Sequence, residues 1–366
     1  MKQKISVGIL GATGVVGQNY VRLLADHPWF EIKDMAASSR SAGKTYTEAT
    51  SGKWLMDTDI PEALKDMPVR DVLDYAGIPD DIKLFFSATE LQDKDATREF
   101  EFAYAAKGYP VVSNSSANRW TSDVPMIIPE INDSHAEVIR AQQKNRKFPE
   151  SGFVAVKPNC SVQSYLVAIH ALRKAGYPVE EILVNTLQAL SGAGYKGLTE
   201  PERRLTVNPL IPGEEEKTEK EPSKIFGIME QGEIIPDYSI DMSALCTRVP
   251  VVDGHTALVY LNFVDDVPSL EQIVKIWSEF KGVPQELNLP SAPQPPIEFK
   301  IEPDRPQVAL DVDNGKGMAI TIGRLETDKF FDIRFVALSH NTVRGAAGGA
   351  ILSAELLVEK GYIKRE

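Results

Sequence analysis

Two cysteines could serve as nucleophiles in this chain of 366 residues, and their surroundings in the sequence differ. Cys160 follows Pro158 and Asn159, which should end a strand, and precedes a run with the apolar spacing of a helix. A thiol at the first turn of a helix lies near unpaired backbone amides and the positive end of the helix dipole, and both stabilise a thiolate. The sequence therefore predicts a nucleophile at Cys160, with an inert buried thiol as the alternative. Cys246 has no such turn before it and is predicted to pack within a strand.

An acid-base partner for this thiol must be found among five histidines. His255 stands at the start of a predicted strand, directly after Asp253 and Gly254. The other four are predicted inside a helix (His170), at helix ends (His27, His135) and near a bound cofactor (His340). Because histidine titrates near neutral pH, we interpret His255 as the general acid and base, with a structural histidine as the alternative.

A glycine-rich turn near the N-terminus could hold the phosphates of a dinucleotide. The sequence GILGATGVVG places Gly11, Gly14 and Gly17 between a predicted strand and a predicted helix. Glycine allows a tight turn and leaves the first amides of the helix free to bind a pyrophosphate. The spacing is G-x-x-G-x-x-G rather than the usual G-x-G-x-x-G, so the prediction depends on the position between strand and helix. A purely structural turn is the alternative.

The end of the next predicted strand indicates which dinucleotide would bind. NAD-dependent enzymes usually have Asp or Glu there for the ribose hydroxyls, and the sequence AASSRSAGKTY has neither. Ser38, Ser39, Arg40 and Lys44 would suit a 2'-phosphate instead. NADP is therefore predicted, with a solvated basic loop as the alternative.

Composition limits the remaining possibilities. A hydrophobic fraction of 43% fits a globular protein large enough for two domains. Two cysteines cannot form a disulfide framework, and no Cys/His spacing typical of zinc sites is present, so a cytoplasmic location and no metal are expected. A net charge of -12 disfavours nucleic acid and anionic membranes as partners. The N-terminal apolar run is broken by glycines and no stretch is long enough to span a bilayer, so we expect a soluble protein.

The order of predicted elements indicates an α/β protein with two domains. Residues 1–156 alternate apolar and amphipathic runs, which is typical of a mostly parallel sheet. Residues 157–340 show period-two alternation, which predicts an antiparallel or mixed sheet covered on one face. The predicted strands of this second part are EILVNTLQAL, CTRVPVV, HTALVYLNF, PQVALDV, GMAITIGRL and FFDIRFVAL. The last helix, within 341–366, begins with small residues, so another backbone or a ligand should lie against it.

Seven motifs in order make the chain resemble the aspartate-semialdehyde dehydrogenase family: GATGVVG, SNSSANRW, PNCS, QALSGAG, GEEEK, RVPVVDGH and HNTVRGAAGG. The resemblance implies a Rossmann-type NADP-binding domain over 1–156, completed by the C-terminal helix 341–366. It implies an α+β catalytic domain of the glyceraldehyde-3-phosphate dehydrogenase C-terminal type over 157–340, whose sheet builds a homodimer or homotetramer. It also implies the reversible NADPH-dependent reductive dephosphorylation of L-aspartyl 4-phosphate, a step in making lysine, threonine, methionine and isoleucine.

The resemblance further implies roles for individual residues. Cys160 would attack the acyl phosphate to give a thioester, Gln188 would orient the acyl group, and His255 would move the proton. Implied substrate ligands are Arg248 for the carboxylate, Glu214 for the amino group (Glu215 in another register), Lys217 and Arg119 for phosphate, and Asn159 beside the thiol. Implied cofactor ligands are Gly11, Thr13, Gly14, Val15, Val16, Gly17, Ser38, Ser39, Arg40, Ser41, Ser191, Gly192 and Asn341. A loop salt bridge is the alternative for Arg119, and a solvated helix face is the alternative for 214–220.

Two other functions stay open. An acyl reductase resembling malonyl-CoA reductase or N-acetylglutamyl-phosphate reductase would share the cysteine and the cofactor but not the leaving group. Glu214 with Lys217 and Arg248 favours a small amino acid bearing a phosphate, because a coenzyme A thioester offers a carboxylate no amino group to bind. A non-catalytic dinucleotide-binding regulator would lack an acid-base partner, whereas His255 and Gln188 stand in the expected order.

Overall fold

Apolar runs in the first part of the chain form a six-stranded parallel sheet. The computed structural model describes residues 3–365; residues 1, 2 and 366, at the ends of two predicted domain ranges, lie outside the described residues. The strands are β1 (Ile5–Leu10), β2 (Phe30–Ala37), β3 (Val69–Asp71), β4 (Leu84–Ser87), β5 (Pro110–Ser113) and β6 (Phe153–Val156). Their order is β3-β2-β1-β4-β5-β6, and every pairing is parallel. This is the Rossmann order, in which ligands bind at the carboxyl ends of the strands, where the order reverses.

Helices connect these strands. They are α1 (Val15–Leu24), α2 (Tyr46–Thr50), α3 (Lys94–Ala106) and α4 (Val138–Arg146). Asp93 caps α3 by accepting the backbone N–H of Ala96, as expected for an aspartate before a helix. At the start of α1, Gly14 provides no side-chain cap. The first amides of α1 are therefore available to an external acceptor.

The second part of the chain forms a mixed sheet. Its strands are β7 (Val179–Gln188), β8 (Ile228–Glu230), β9 (Glu233–Ile235), β10 (Asp241–Arg248), β11 (His255–Phe263), β12 (Ile297–Phe299), β13 (Ile320–Thr327) and β14 (Ile333–Ser339). The order is β10-β7-β11-β14-β13-β12, and β8 and β9 form a separate hairpin. Its helices are α5 (Leu166–Lys174), α6 (Gly194–Thr199), α7 (Glu214–Ile225), α8 (Leu270–Glu279), α9 (Val283–Glu286), α10 (Val308–Asp311) and α11 (Gly348–Glu359).

One face of the mixed sheet is covered and the other is open. Trp277 of α8 is buried, and its indole N–H donates to the carbonyl of Ala168 in α5. Both helices share a core with sheet residues such as Val259. On the opposite face, Leu187 and Leu245 are 36% and 52% exposed. The expectation of a mixed sheet covered on one face is confirmed, and with it the predicted fold class.

The last helix returns to the first sheet. Ile351, Leu352 and Leu356 of α11 belong to the same buried cluster as Val7 and Ile9 of β1. A π-helical segment, Val343–Ala347, leads into α11. The domain limits at 156 and 340 stay a prediction, while α11 packs with the strands of the first sheet.

Two predicted strands are corrected. PQVALDV contains the four-residue helix α10 instead of a strand, because the buried carboxylate of Asp311 accepts both Nε of Arg305 and the backbone N–H of Gln307 and so closes a turn. CTRVPVV is only partly a strand. β10 ends at Arg248, since Pro250 has no N–H to donate to a neighbouring strand.

None of the helices formed by residues 3–365 has the length and apolar character that crossing a membrane requires.

Candidate active site

Cys160 lies in a turn between β6 and α5 rather than in the first turn of a long helix. A single 3₁₀ turn, Val162–Ser164, follows it before α5 begins. Oδ1 of Asn159 caps this turn by accepting the backbone N–H groups of Ser161 at 2.7 Å and Val162 at 3.3 Å. The amides that we expected to stabilise a thiolate are therefore occupied by Asn159, and that part of the prediction is wrong.

Cys160 and His255 are in direct contact. Sγ of Cys160 lies 3.2 Å from Nε2 of His255. The other ring nitrogen, Nδ1, accepts the backbone N–H of Ala189 at 3.1 Å. Because a backbone N–H can only donate, Nδ1 carries no proton, and the neutral imidazole carries its proton on Nε2. This tautomer lets His255 donate a hydrogen bond to a thiolate at Cys160.

Burial sets the resting charges of the pair. Loss of solvent raises the pKa of the Cys160 thiol, and the Glu214 carboxylate raises it further. Loss of solvent also lowers the pKa of His255 well below its usual value, and the charge of Arg248 acts in the same direction. Near neutral pH the site therefore holds a neutral thiol beside a neutral imidazole.

Three adjacent strands bring further candidates to one edge of the mixed sheet. Gln188 ends β7 and Arg248 ends β10, and the two residues are paired across these parallel strands. His255 begins β11, which runs antiparallel to β7. The end of β7 and the start of β11 therefore meet, and all three side chains are buried there.

A polar chain beside the thiol joins Gln188 to Glu214. Nε2 of Gln188 donates to Oγ of Ser161 at 2.6 Å and lies 3.4 Å from Oε1 of Glu214. The Ser161 hydroxyl donates to the same carboxylate oxygen at 3.3 Å. Nζ of Lys217 donates to the second oxygen, Oε2, at 3.2 Å. Both oxygens of Glu214 therefore have partners among the candidate residues.

Helix α7 turns Glu214 toward the site and Glu215 away from it. Glu214, Thr218 and Glu221 are buried and lie on one face of the helix. Oε1 of Glu215 instead accepts the backbone N–H of Cys246 at 3.2 Å. The structure therefore favours Glu214 over Glu215 as the carboxylate of the site.

Arg248 lies against the loop that follows Gln188. Its Nη1 donates to the carbonyl of Ala189 at 2.7 Å. A Cβ on Gly192 would come within 2.6 Å of Nη1, so glycine leaves room for the guanidinium. The charge of Arg248 lowers the pKa of Cys160, which opposes the effect of burial. Arg248 is therefore placed to bind an anionic group beside the thiol.

Arg119 forms the buried ion pair that we gave as the alternative to phosphate binding. Its Nη1 lies 2.8 Å from Oε1 of Glu221, while Nε and Nη2 donate to the carbonyls of Lys157 and Asn114 at 3.1 Å. Oε2 of Glu221 also accepts the backbone N–H of Asn159 at 2.6 Å. Among residues 3–365, three of the five guanidinium N–H groups are thus bound, and two are left for a ligand.

Cys160 lines a cavity of about 560 Å³, here called the nucleophile cavity. Arg119 and Lys157 also line it. The predicted cofactor residues in its walls are Gly14, Val15, Val16, Ser191, Gly192 and Asn341. Nδ2 of Asn341 donates to Oγ of Ser191 at 2.7 Å, which ties the two together. A larger cavity of about 610 Å³ beside His27 contains none of the candidate residues.

A second cavity, of about 540 Å³, adjoins the first. It is lined by the predicted cofactor residues Thr13, Ser38, Arg40 and Ser41, and by Lys44. Both cavities include Gly14, Val15 and Tyr195, so together they form one trough past the start of α1. The only acidic residue in this second cavity, Glu48, is engaged in the capping box of α2. Ser39 is exposed and lies outside both cavities.

The glycines of the turn have different roles. Gly11 adopts φ +84°, which side chains rarely tolerate. A Cβ on Gly17 would lie 2.2 Å from the carbonyl oxygen of Gly11, whereas a Cβ on Gly14 would meet no atom closer than 3.5 Å. Glycine is therefore required at Gly11 and Gly17 by the geometry of the turn. Gly14 instead leaves the N-terminus of α1 accessible, and the first amides of that helix have no side-chain cap. These features fit a bound pyrophosphate.

Three residues of the site were missed from the sequence: Lys157, Ser161 and Glu221. Glu221 could have been found, because it lies seven residues after Glu214 and so on the same face of α7. Ser161 and Lys157 carry no comparable sequence signal. Among residues 3–365, no group of three His, Cys, Asp or Glu side chains is arranged to hold a metal ion.

Comparisons with known proteins agree with this geometry. Residues 6–139 match the family model described as "Semialdehyde dehydrogenase, NAD binding domain", and residues 169–344 match "Semialdehyde dehydrogenase, dimerisation domain". The aspartate-semialdehyde dehydrogenase of Methanothermobacter thermautotrophicus is 42% identical, over 97% of this chain and 99% of that protein. The malonyl CoA reductase (NADP) of Metallosphaera sedula is 36% identical over the full length of both.

Comparison with solved structures also finds similarity to semialdehyde dehydrogenases. The aspartate semialdehyde dehydrogenase of Candida albicans, solved with NADP, superimposes with a TM-score of 0.86 at 35% identity, over 99% of this chain and 100% of that one. The resemblance predicted from the seven motifs is confirmed, and the chain belongs to the semialdehyde dehydrogenase family.

Proposed function

We propose that this protein catalyses the aspartate-semialdehyde dehydrogenase reaction, the reversible NADPH-dependent conversion of L-aspartyl 4-phosphate to L-aspartate 4-semialdehyde and phosphate. This proposal rests on the contact of Cys160 Sγ with His255 Nε2 at 3.2 Å. The thiol lines one cavity of the trough, and Gly14 of the glycine-rich turn before α1 lines both. The full-length identity to enzymes with this activity supports it.

Cys160 acts as the nucleophile. After the thiol has released its proton to solvent, the thiolate attacks the acyl carbon, so a carbon-sulfur bond forms while the carbon-oxygen bond to phosphate breaks and phosphate leaves. NADPH, when bound along α1, supplies the hydride that reduces the resulting thioester. The carbon-sulfur bond then breaks, the aldehyde is released, and Cys160 leaves as a thiolate, which takes up a proton to restore the resting thiol. His255, with its proton on Nε2, stabilises the thiolate and supplies a proton where oxygen becomes negative.

Neighbouring charges recognise the substrate. Arg248 binds the α-carboxylate, for which the forked guanidinium is suited. Glu214 binds the ammonium group, and Gln188 and Asn159 orient the acyl group beside the thiol. Lys217, whose side chain is 35% exposed, binds phosphate. It does so together with the two N–H groups of Arg119 that have no partner among residues 3–365.

Further properties belong to the same proposal. Arg40, Ser38 and Ser41 bind the 2'-phosphate of NADP, because the only carboxylate lining their cavity is engaged by α2. The open face of the mixed sheet, with Leu187 and Leu245 exposed, pairs two copies into a homodimer or a higher homo-oligomer. Two free thiols suit a cytoplasmic location. Residues 3–156 with α11 form the cofactor domain, and 157–340 the catalytic domain.

The proposal is tested by following NADP reduction with aspartate semialdehyde, with and without inorganic phosphate. We expect turnover that requires phosphate. Because one relative is a malonyl CoA reductase, a parallel assay offers malonyl-CoA with NADPH. Turnover that ignored phosphate, or that occurred only with the coenzyme A thioester, would overturn the proposal.

A further inference from the structure

Lys157 is a fully buried lysine beside the nucleophile, and neither its bonds nor its charge have a role in the reaction proposed above. It is among the largest fully buried side chains, with 2% of the residue exposed. Its backbone is fixed on both sides, since its N–H donates to the carbonyl of Ser113 at 3.0 Å and its carbonyl accepts Nε of Arg119 at 3.1 Å. These two hydrogen bonds therefore hold in place the backbone from which the Lys157 side chain extends.

The ammonium of Lys157 joins two segments that are far apart in the sequence. Nζ donates to the carbonyl of Pro158 at 2.5 Å and also to the carbonyl of Gly345. Pro158 belongs to the loop that carries Cys160, and Gly345 belongs to the π-helical segment before α11. Both Gly345 and Lys157 line the nucleophile cavity. Lys157 therefore links the loop of residues 157–161, here called the nucleophile loop, to the π-helical segment that lines the nucleophile cavity.

Small residues in the C-terminal segment make this arrangement possible. A Cβ on Gly345 would lie 2.8 Å from Cβ of Cys160, and a Cβ on Gly349 would lie 3.5 Å from Cε of Lys157. Gly345 therefore leaves room for the nucleophile, and Gly349 at the start of α11 lies at ordinary contact distance from the lysine side chain. This is the close approach that the sequence predicted for the last helix.

The pKa of Lys157 and the pKa of the Cys160 thiol depend on each other's charge. Burial lowers the pKa of Lys157 to about 7, and the cations Arg119 and Arg344 add to that effect. The negative charges of Cys160 and Glu221 act in the opposite direction. Reciprocally, the positive charge of Lys157 lowers the pKa of Cys160. A thiolate and an ammonium at these two positions therefore stabilise each other.

We propose that Lys157 is a positioning residue for the reaction: it holds the Cys160 loop against the Gly345 segment and supplies the positive charge that accompanies the thiolate. The inference rests on the proposed role of Cys160 as the nucleophile. His255 complements this role, because its Nε2 already carries a proton and donates to the thiolate. The charged or titratable groups that act on the thiol are Glu214, Lys157, Arg248, Arg119 and His255.

Lys224 provides a matched control. It is also fully buried, its Nζ donates to the carbonyls of Arg119, Thr121 and Val124, and burial lowers its pKa to about 7. It does not line the nucleophile cavity. Replacing either lysine by methionine removes one buried ammonium that binds backbone carbonyls, but only one of the two touches the nucleophile loop.

The test compares Lys157→Met and Lys224→Met in a Cys246→Ser background, where Cys160 is the remaining thiol. The rate of Cys160 alkylation by iodoacetamide is measured against pH without substrate. We expect Lys157→Met to move the midpoint upward by about one unit, because a thiolate at Cys160 raises the pKa of Lys157 and favours its charged form, which the variant lacks. Lys224→Met should lower the melting temperature without moving the midpoint. An unchanged midpoint in Lys157→Met, or an equal shift in both variants, would overturn the inference.

Two further measurements complete the test. With aspartate semialdehyde and phosphate, kcat of Lys157→Met should fall by about 10- to 100-fold while KM changes little, since misplacement of the nucleophile affects the chemical step. Lys157→Arg keeps a positive charge, so its alkylation midpoint should stay in place; a shifted midpoint in folded Lys157→Arg would contradict the role of the charge, even if Lys157→Met did not fold. Absence of wild-type turnover would overturn the proposed function alone, because alkylation uses no substrate.

Discussion

Sγ of Cys160 lies 3.2 Å from Nε2 of His255, and the far side of the imidazole is held by the backbone N–H of Ala189. The ring is therefore fixed in orientation and in tautomer by the main chain of the loop after β7. No carboxylate is needed to set the tautomer, because the amide proton of Ala189 already occupies Nδ1. His255 is therefore oriented to donate a hydrogen bond from Nε2 to the sulfur of Cys160.

Replacement of His255 by Asn should reduce kcat by about 10²- to 10⁴-fold, because the group that moves the proton is lost. The measurement is steady-state turnover of aspartate semialdehyde with NADP and phosphate. His170→Asn, which changes a histidine outside the site, is the control and should stay near the wild-type rate. A loss of equal size in both variants would show that stability, rather than proton transfer, is affected.

Replacement of Cys160 by Ser should abolish turnover, by roughly three orders of magnitude or more, because the hydroxyl is a much weaker nucleophile. NADPH binding, followed by its fluorescence, should be retained. Cys246→Ser should have little effect, since Cys246 is fully buried within β10 and lies outside the nucleophile cavity. Comparable inactivation of both variants would remove Cys160 from its role.

Replacement of Arg40 by Ala should raise KM for NADPH by about 10- to 100-fold, the cost of losing a hydrogen bond to a charged group. KM for NADH should stay unchanged, because NADH has no 2'-phosphate. Lys33→Ala removes a cation elsewhere on β2, where it pairs with Glu31, and serves as the control. An equal rise for both cofactors would mean that Arg40 does not distinguish them.

Replacement of Gly17 by Ala should destabilise the fold by about 1–3 kcal/mol, because the new methyl group would overlap the carbonyl oxygen of Gly11. Gly14→Ala should leave the melting temperature in place, since its Cβ would meet no atom closer than 3.5 Å. It should instead weaken NADPH binding by covering the head of α1. Thermal unfolding and NADPH titration separate the two effects, and a destabilised Gly14→Ala protein would contradict this division.

The stability of the protein should fall between about pH 6.5 and pH 4, partly because of His170. Burial lowers the pKa of this histidine to about 4 in the folded state, whereas its ordinary value is 6.5. In that interval the unfolded chain binds more protons than the folded chain, so stability decreases as pH falls, and the contribution is complete below pH 4. His170→Phe keeps the aromatic packing against Phe226 and Phe280 and should reduce this dependence. Melting curves of equal pH dependence would disprove it.

Several features of the site could be predicted because they depend on local sequence. His255 begins β11, as Asp253 and Gly254 before it indicated, and Gln188 ends β7. Alternation of apolar residues sets the limits of these strands, and the strand pairing then brings their ends together. The fold class followed from the same patterns, since strand-helix alternation and period-two runs differ strongly.

Other features could not be predicted because they depend on distant parts of the chain. A lysine is usually exposed, so nothing near Lys157 indicates that Gly345 will accept from its ammonium. The sequence predicts that Asn159 ends a strand, but its side chain also caps the next turn and so occupies the amides expected to act on Cys160. PQVALDV alternates like a strand over only a few residues, and the Asp311 carboxylate decides in favour of a turn.

Because α11 packs with the first sheet, we expect the first sheet to be completed late during synthesis. Domains generally fold as units, beginning with the N-terminal one as it leaves the ribosome. Here β1 emerges first, but Ile351, Leu352 and Leu356, which belong to the same buried cluster, emerge only after the whole mixed sheet. The strands β7 to β14 are contiguous and can pair as soon as they are made. We therefore expect the nascent first sheet to expose apolar surface until α11 has been synthesised.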